Sequence, residues 1–347
     1  MSDVVKQALK QVALGTPLSS DEAENYMDLL MRGHVSPIQT AGMLAAMAVR
    51  GETVEEIVGF ARGMRANSLH LANAPANIVD TCGTGGDGKN TFNISTAAGI
   101  VAAAAGVPIA KHGNRAASSK SGSADVLQAL GASLDIGIEG AEECLSRTNF
   151  CFMFAQQFHP AMKHAAEARK QLGFRTIFNI LGPLTNPAGA KRQLLGVFKP
   201  GLVRPMAEAL LALGSEHVLV VHGGDGLDEI SLSGETMVAE LKDGSITEYV
   251  IRPSDFGLSE APIESVVGDT AEVNARMIHQ VLQGDAGPRR DIVVLNASAV
   301  LYVGGVCQSI NDGIRLAQEF IDSGRALETL TRFVEVSREY APAEVLP

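Results

Sequence analysis

The first 70 residues are helical in pattern. Apolar residues recur at helical spacing, and each run follows the same polar punctuation. Ser19-Ser20-Asp21-Glu22 is a capping box, in which a hydroxyl takes the third amide of the helix and the acid returns to the cap. It precedes Met27, Leu29, Leu30 and Met31, and Gly33 is the stop. Ser36-Pro37-Ile38-Gln39 is a second box, with Pro37 at the first helical position; it opens a helix through Thr40 to Arg50, ended by Gly51. Thr53-Val54-Glu55-Glu56 opens a third toward Met64. Short connections between such helices predict antiparallel packing in a small all-α unit.

The pattern changes at Ile78. Short apolar runs (Ile78-Val79, Pro108 to Ala110, Phe152 to Phe154, Leu194 to Phe198, His217 to His222) alternate with helical stretches. This is the signature of βαβ units around a mostly parallel sheet. The first strand is expected to end at Val79. Met162 to Leu172 reads as a helix carrying Lys163, Arg169 and Lys170, and is expected to rejoin the N-terminal helices. Thr236 to Val250 alternates like an antiparallel hairpin turning at Asp243-Gly244. From Asp269 the chain is expected to be helical to Glu339. The expected fold class is α/β: a helical domain over 1–72, completed by 162–185, and a large α/β domain over 73–161 and 186–347 with a mostly parallel central sheet.

At 347 residues there is room for two domains. Hydrophobic residues make up 46% and charged residues 19%, a globular balance, and no stretch is apolar for the length of a membrane span. Met1 to Lys6 lacks the charged start and apolar core of a signal peptide, so a cytoplasmic location is expected. The net charge of −11 argues against nucleic acid or an acidic membrane as partner, but leaves room for a small polyanion held by a local cluster. Cys82, Cys144, Cys151 and Cys307 form no Cys-x-x-Cys pair and show no zinc spacing, so they read as buried reduced thiols. No motif pairs Cys82 with a base.

The candidate chemistry starts after the first strand. Gly83-Thr84-Gly85-Gly86-Asp87-Gly88 is followed by Ser95 and Thr96 at the opening of an alanine-rich helix, an arrangement that brings bare backbone N–H groups to a phosphate. It spells G-x-G-x-x-G, but a dinucleotide fold then needs an acid about 20 residues on. The next acid after Asp87 is Asp125. It also nearly spells the ATP-binding G-x-x-x-x-G-K-[ST], but Asn90 stands where a hydroxyl would ligate Mg²⁺, and Asp87 would repel an enclosed phosphate. Asp87 suits a ligand that brings its own metal or a hydroxyl, as a sugar pyrophosphate with Mg²⁺ does.

Two more constellations point the same way. Lys111 to Ser123 holds Lys111, Arg115 and Lys120, four serines and no acid, which makes a second anion site; the plain alternative is a solvated basic loop. Asp228-Glu229, after the apolar strand Val218 to Val221, sets two carboxylates side by side, which suits Mg²⁺ shared with substrate phosphates; the alternatives are an exposed acidic turn or a glycosidase acid–base pair. Gly182 to Pro187 reads as a rigid turn, and His159-Pro160 as a helix start beside a pocket.

Asp80 to Asp87, Asn93-Ile94-Ser95-Thr96, Lys111 to Ser119, Gly182 to Pro187 and Asp228-Glu229, in this order, resemble the anthranilate phosphoribosyltransferase family of tryptophan biosynthesis, nearly end to end. The resemblance implies a nucleoside phosphorylase/phosphoribosyltransferase-like fold, with the active site between the helical and α/β domains and a homodimer formed through the helical domain. It implies transfer of phosphoribose from phosphoribosyl pyrophosphate (PRPP) to the amine of anthranilate, with Mg²⁺ as cofactor. Carried over, Gly83, Gly86, Asp87, Thr91, Asn93, Ile94, Ser95, Thr96, Lys111, His112, Gly113, Asn114, Arg115, Ala116, Ala117, Ser118 and Ser119 contact PRPP, with Ser123 added. Ser95, Asp228 and Glu229 bind Mg²⁺, and Gly83, Asn114 and Arg169 contact anthranilate. His112 is a candidate acceptor for the late amine proton; no strong base is needed, since the aromatic amine is neutral near pH 7. Two rivals remain: a pyrimidine nucleoside phosphorylase, which needs no metal clamp, and a nucleic-acid-binding paralogue, which should carry basic surface. Association with the amidotransferase that makes anthranilate stays open.

Overall fold

The computed structural model describes residues 2–116 and 120–342, so Ala117, Ser118 and Ser119 of the expected phosphate loop lie outside the described residues. The chain opens with helices α1 (Ser2–Ala13), α2 (Ser20–Met31), α3 (Pro37–Arg50) and α4 (Val54–Ala66). All three capping boxes form: Ser19, Ser36 and Thr53 accept the amides of Glu22, Gln39 and Glu56, whose side chains return to the cap amides. Glu56 does more. Fully buried, it also accepts the Leu18 amide at 3.0 Å and pairs with Arg50, joining the starts of α2 and α4 to the end of α3. Helix α4 crosses α2 closely because Gly59 and Gly63 have no side chain; a Cβ at either would overlap Ser20, Ala23, Glu24 or Met27.

Then follow β1 (Val79–Gly83), α5 (Ile94–Ala104), β2 (Ile109–Gly113), α6 (Ser123–Ala129), α7 (Gly137–Thr148), β3 (Phe150–Phe154), α8 (Ala155–Phe158), α9 (Lys163–Leu172), α10 (Phe178–Leu181), β4 (Arg192–Gly196), α11 (Val203–Ala212), β5 (His217–Gly223), β6 (Thr236–Lys242), β7 (Ser245–Ile251), and α12 (Ala271–Leu282), α13 (Pro288–Val303), α14 (Ile310–Asp322) and α15 (Arg325–Glu339). The seven strands lie in the order β3-β2-β1-β4-β5-β6-β7. The first five are parallel, and β6 and β7 add the antiparallel hairpin with Asp243-Gly244 between them.

Alternate side chains of the central strands enter two cores. Leu194, Leu219 and Val221 face a core shared with α5 and α13. Leu195, Val218 and Val220 face the other, shared with α11 and the N-terminal helices. Helix α9 packs on α2 and α3, and Phe178, Ile180, Leu181 and Leu184 enter that same second core. The Arg65 Nε donates to the Leu184 carbonyl at 2.7 Å, tying α4 to the turn after α10. No helix among the described residues is long and apolar enough to cross a membrane.

Several strand boundaries differ from expectation, and the one that bears on the site is the end of the first strand. Strand β1 does not stop at Val79 but runs on through Asp80, Thr81 and Cys82 to Gly83. These polar residues are buried because partners far along the chain satisfy them. The Asp80 carboxylate accepts the His112 amide at 3.1 Å, and the Thr81 hydroxyl donates to the Ser95 carbonyl at 3.2 Å.

Candidate active site

In an open parallel sheet, ligands bind beyond the carboxyl ends of the strands where the strand order reverses. Here that point lies between β1 and β4, whose last residues are Gly83 and Gly196. The chain leaving β5 turns back over both. A Cβ on Gly83 would collide with the Asp228 carboxylate, and one on Gly196 with the Asp228 carbonyl. Asp225 shapes this turn by accepting the Leu227 amide (3.1 Å) and the Ser231 hydroxyl (2.8 Å). Asn296, fully buried on α13, clamps Ile230 from both sides: its Oδ1 accepts the Ile230 amide at 3.0 Å and its Nδ2 donates to the Ile230 carbonyl at 2.9 Å. The acidic pair is therefore placed by tertiary contacts.

Both acids are held by backbone donors of the anion-binding elements. Asp228 Oδ2 accepts the Gly85 amide at 2.8 Å, and Glu229 Oε1 accepts the Ser95 amide in the first turn of α5 at 3.1 Å. Burial drives the Asp228 carboxyl well above its usual range, and the nearby charges of Asp87 and Glu229 add to that. Burial also raises Glu229, to about 7, against the opposing pull of Lys111. The Lys111 ammonium is itself buried, donates to the Thr81 carbonyl and, at 3.1 Å, to Ser95 Oγ, and is lowered by burial.

This donor set fits Mg²⁺. It consists of hard oxygens, it is deficient in positive charge, and its carboxylates are oriented by backbone amides. Among the described residues no three His, Cys, Asp or Glu side chains make a complete cage. Mg²⁺ does not need one, since it is bound through one or two carboxylates plus substrate phosphates.

The glycine loop supplies the facing surface. Gly85, Gly86 and Gly88 have positive φ (65°, 79° and 75°), and Asp87 turns inward on the loop to accept the Lys89 amide at 3.0 Å. Asn93 accepts from Asn274 (3.1 Å) and Ser121 (3.4 Å), while Ile94 and Thr96 are buried in α5. Thr91 bridges to Val267.

Gly113 ends β2 where a Cβ would overlap Ser123 and Phe152. Ser123 Oγ donates to the Asn114 carbonyl at 3.4 Å, and Asn114 Oδ1 accepts the Arg115 amide at 2.8 Å. The Arg115 guanidinium is turned to Asp125 (2.9 Å) and Gln128 (3.0 Å), and the Ala116 amide also goes to Asp125 (2.9 Å). Four of the expected contacts, Asn114, Arg115, Ala116 and Ser123, therefore have internal partners.

His112 Nδ1 donates to the Gly182 carbonyl at 3.1 Å, which leaves Nε2 as the lone-pair nitrogen, with no partner among the described residues. Its ring lies 5.0 Å from that of His159, and burial lowers both, His159 to about 3. Arg169, on α9, lies over the Phe178 ring at 5.0 Å and forms no ion pair among the described residues. Burial lowers its guanidinium. Cys82 is buried and pushed well up by that burial, unlike a reactive thiol. Asn296 and Arg175, whose Nη2 donates to the Gly86 carbonyl, belong to this site's framework and carry no local motif.

The chain matches two family models, one after the other in sequence. Residues 6–68 match the glycosyl transferase family helical bundle domain, and residues 75–327 the glycosyl transferase family a/b domain. An anthranilate phosphoribosyltransferase from Rubrobacter xylanophilus is 54% identical over 339 residues, covering 97% of this chain and 99% of the relative. The chain belongs to the anthranilate phosphoribosyltransferase family.

The solved structures agree with this membership. The Thermus thermophilus enzyme of the family is 47% identical with a TM-score of 0.91, covering 95% of this chain and 99% of that one. A Saccharomyces cerevisiae member in complex with PRPP and Mg is 30% identical with a TM-score of 0.88, covering 98% of this chain and 99% of that one. Membership bears out the helical-plus-α/β fold and favours transfer to anthranilate over the nucleoside phosphorylase and nucleic-acid-binding rivals.

Proposed function

We propose that this chain transfers the phosphoribosyl group of PRPP to the amine of anthranilate, giving N-(5-phosphoribosyl)anthranilate and pyrophosphate, with the following division of labour. Asp228, Glu229 and Ser95 hold Mg²⁺. Gly83, Gly86, Asp87, Thr91, Asn93 to Thr96, Lys111 to Ser119 and Ser123 form the PRPP site, and Gly83, Asn114 and Arg169 the anthranilate site. The observation that carries the reading is the pair of half-buried acids at the strand-order reversal, held by the Gly85 and Ser95 amides at 2.8 and 3.1 Å.

Anthranilate's amine is neutral and weakly nucleophilic, so the demanding step is departure of pyrophosphate. Bound Mg²⁺ supplies neutralisation of charge on that leaving group. The glycine loop and the start of α5 add preorganised backbone donors, and Lys111 a fixed positive charge behind them. The sugar carbon then acquires oxocarbenium character. Arg169, half-buried and free of an acidic partner among the described residues, takes the anthranilate carboxylate and aims the amine. Loss of anthranilate fluorescence on addition of PRPP and Mg²⁺ is the expected result; unchanged fluorescence refutes the reading.

The domain division proposed is a helical unit of 1–72 with 162–185, and an α/β unit of the rest. The helical unit also carries the surface for a homodimer. Ile38 and Val49 on α3 are 85% and 90% exposed, and Gly42 and Ala45 lie on the same helix face between them. Sedimentation equilibrium is expected to give twice the chain mass of 36.4 kDa. A single-chain mass at micromolar concentration contradicts the dimer.

A further inference from the structure

Arg169 is six positions before Arg175 on the segment that completes the helical unit, and the two guanidinium groups face different things. Gly173 ends α9 in the left-handed conformation (φ 65°), which reverses the chain. Arg175 then lies at 4.3 Å over the Phe198 ring and donates from Nη2 to the Gly86 carbonyl. The approach is close enough that a Cβ on Gly86 would stand 3.0 Å from Nη2. Arg175 is exposed and forms no ion pair among the described residues.

The platform beneath Arg175 belongs to the same loop. The Phe198 amide donates to Thr84 Oγ1 at 3.1 Å, and the Thr84 amide donates to the Gly196 carbonyl at 2.9 Å. On the opposite side, the Gly85 amide is held by Asp228 at 2.8 Å. Two successive glycines are thus gripped from two directions, by a metal-site acid and by an arginine on the acceptor-side segment. Both have positive φ, so without these grips the loop has wide conformational freedom.

We propose that Arg175 is a positioning residue that couples the two substrate sites: by fixing the glycine loop to the segment bearing Arg169, it makes occupation of the pyrophosphate site strengthen anthranilate binding. The proposal rests on the site assignment above. Coupling of this kind is reciprocal, so the same factor appears whichever ligand binds first.

The test uses anthranilate fluorescence on binding, alone and with saturating Mg²⁺ and inorganic pyrophosphate, which fills the leaving-group site without turnover. For the wild-type protein, pyrophosphate is expected to lower the anthranilate Kd about tenfold. In Arg175→Ala the ratio is expected to fall to within about twofold of unity, while the Kd for anthranilate alone moves less than about threefold. Arg175→Lys keeps the charge but not the planar stack, and is expected to fall between the two. An undiminished ratio in Arg175→Ala, or no ratio in the wild type, overturns the coupling. Failure of the wild type to bind either ligand overturns the site assignment instead, and the coupling with it.

Discussion

Replacing Asp228 by Asn together with Glu229 by Gln is expected to abolish Mg²⁺-dependent turnover while leaving the fold intact or firmer. The two acids share a half-buried corner with Asp87, and desolvation with repulsion among the acids raises both carboxyls. Two neutral side chains of the same shape relieve that repulsion. Each amide oxygen still accepts the Gly85 or Ser95 amide that the acid accepts now. What disappears is the negative charge that binds Mg²⁺. Metal stabilisation of a leaving group contributes several kcal/mol, so the loss in kcat/KM is expected to be about 1,000-fold or more. Steady-state rates across a Mg²⁺ series, with a thermal melt of each protein, separate the two effects. Activity that survives with its metal dependence unchanged contradicts the metal assignment, and a collapsed melting transition assigns the acids a structural role.

Arg169→Ala is expected to act on one substrate only. The guanidinium lies over Phe178, is half-buried and pairs with no acid among the described residues, so its charge is available to a carboxylate ligand. Removing one partner of such a desolvated pair costs about 2–3 kcal/mol, or roughly 30- to 150-fold in affinity. The KM for anthranilate should rise by that factor, and the KM for PRPP by less than about threefold. Equal effects on both substrates would remove Arg169 from the acceptor site. Methyl anthranilate, which lacks the carboxylate charge, should distinguish wild type and variant far less than anthranilate does.

The helical unit was legible because its signals are local. Each capping box is written within four residues, and all three form as read. The hairpin at Asp243-Gly244 was legible for the same reason. Strand β1 was only half legible: Asp80, Thr81 and Cys82 look like loop, and become strand because His112 and Ser95 satisfy the two polar residues across the fold.

The site shows the same division. Residue chemistry marked the glycine loop, the lysine–serine loop and the acidic pair. The clamp on the residue after that pair comes from Asn296, 66 positions on from Ile230, which no local pattern announces. Nor does a local pattern announce that Asp125, ten residues on from Arg115, takes its guanidinium at 2.9 Å. Arg175 had no motif at all; only the folded chain brings it to the Gly86 carbonyl, 89 positions away.

On the proposed reading, the glycine loop and the Asp228-Glu229 pair form one Mg²⁺-dependent grip on PRPP that delivers its sugar to anthranilate. The most direct measurement is the decay of anthranilate fluorescence in the wild-type protein with PRPP, in Mg²⁺ and in EDTA. Decay to completion is expected with Mg²⁺, with one pyrophosphate released per anthranilate consumed, and no decay is expected in EDTA. Equal decay in EDTA, or pyrophosphate release with anthranilate untouched, contradicts that reading.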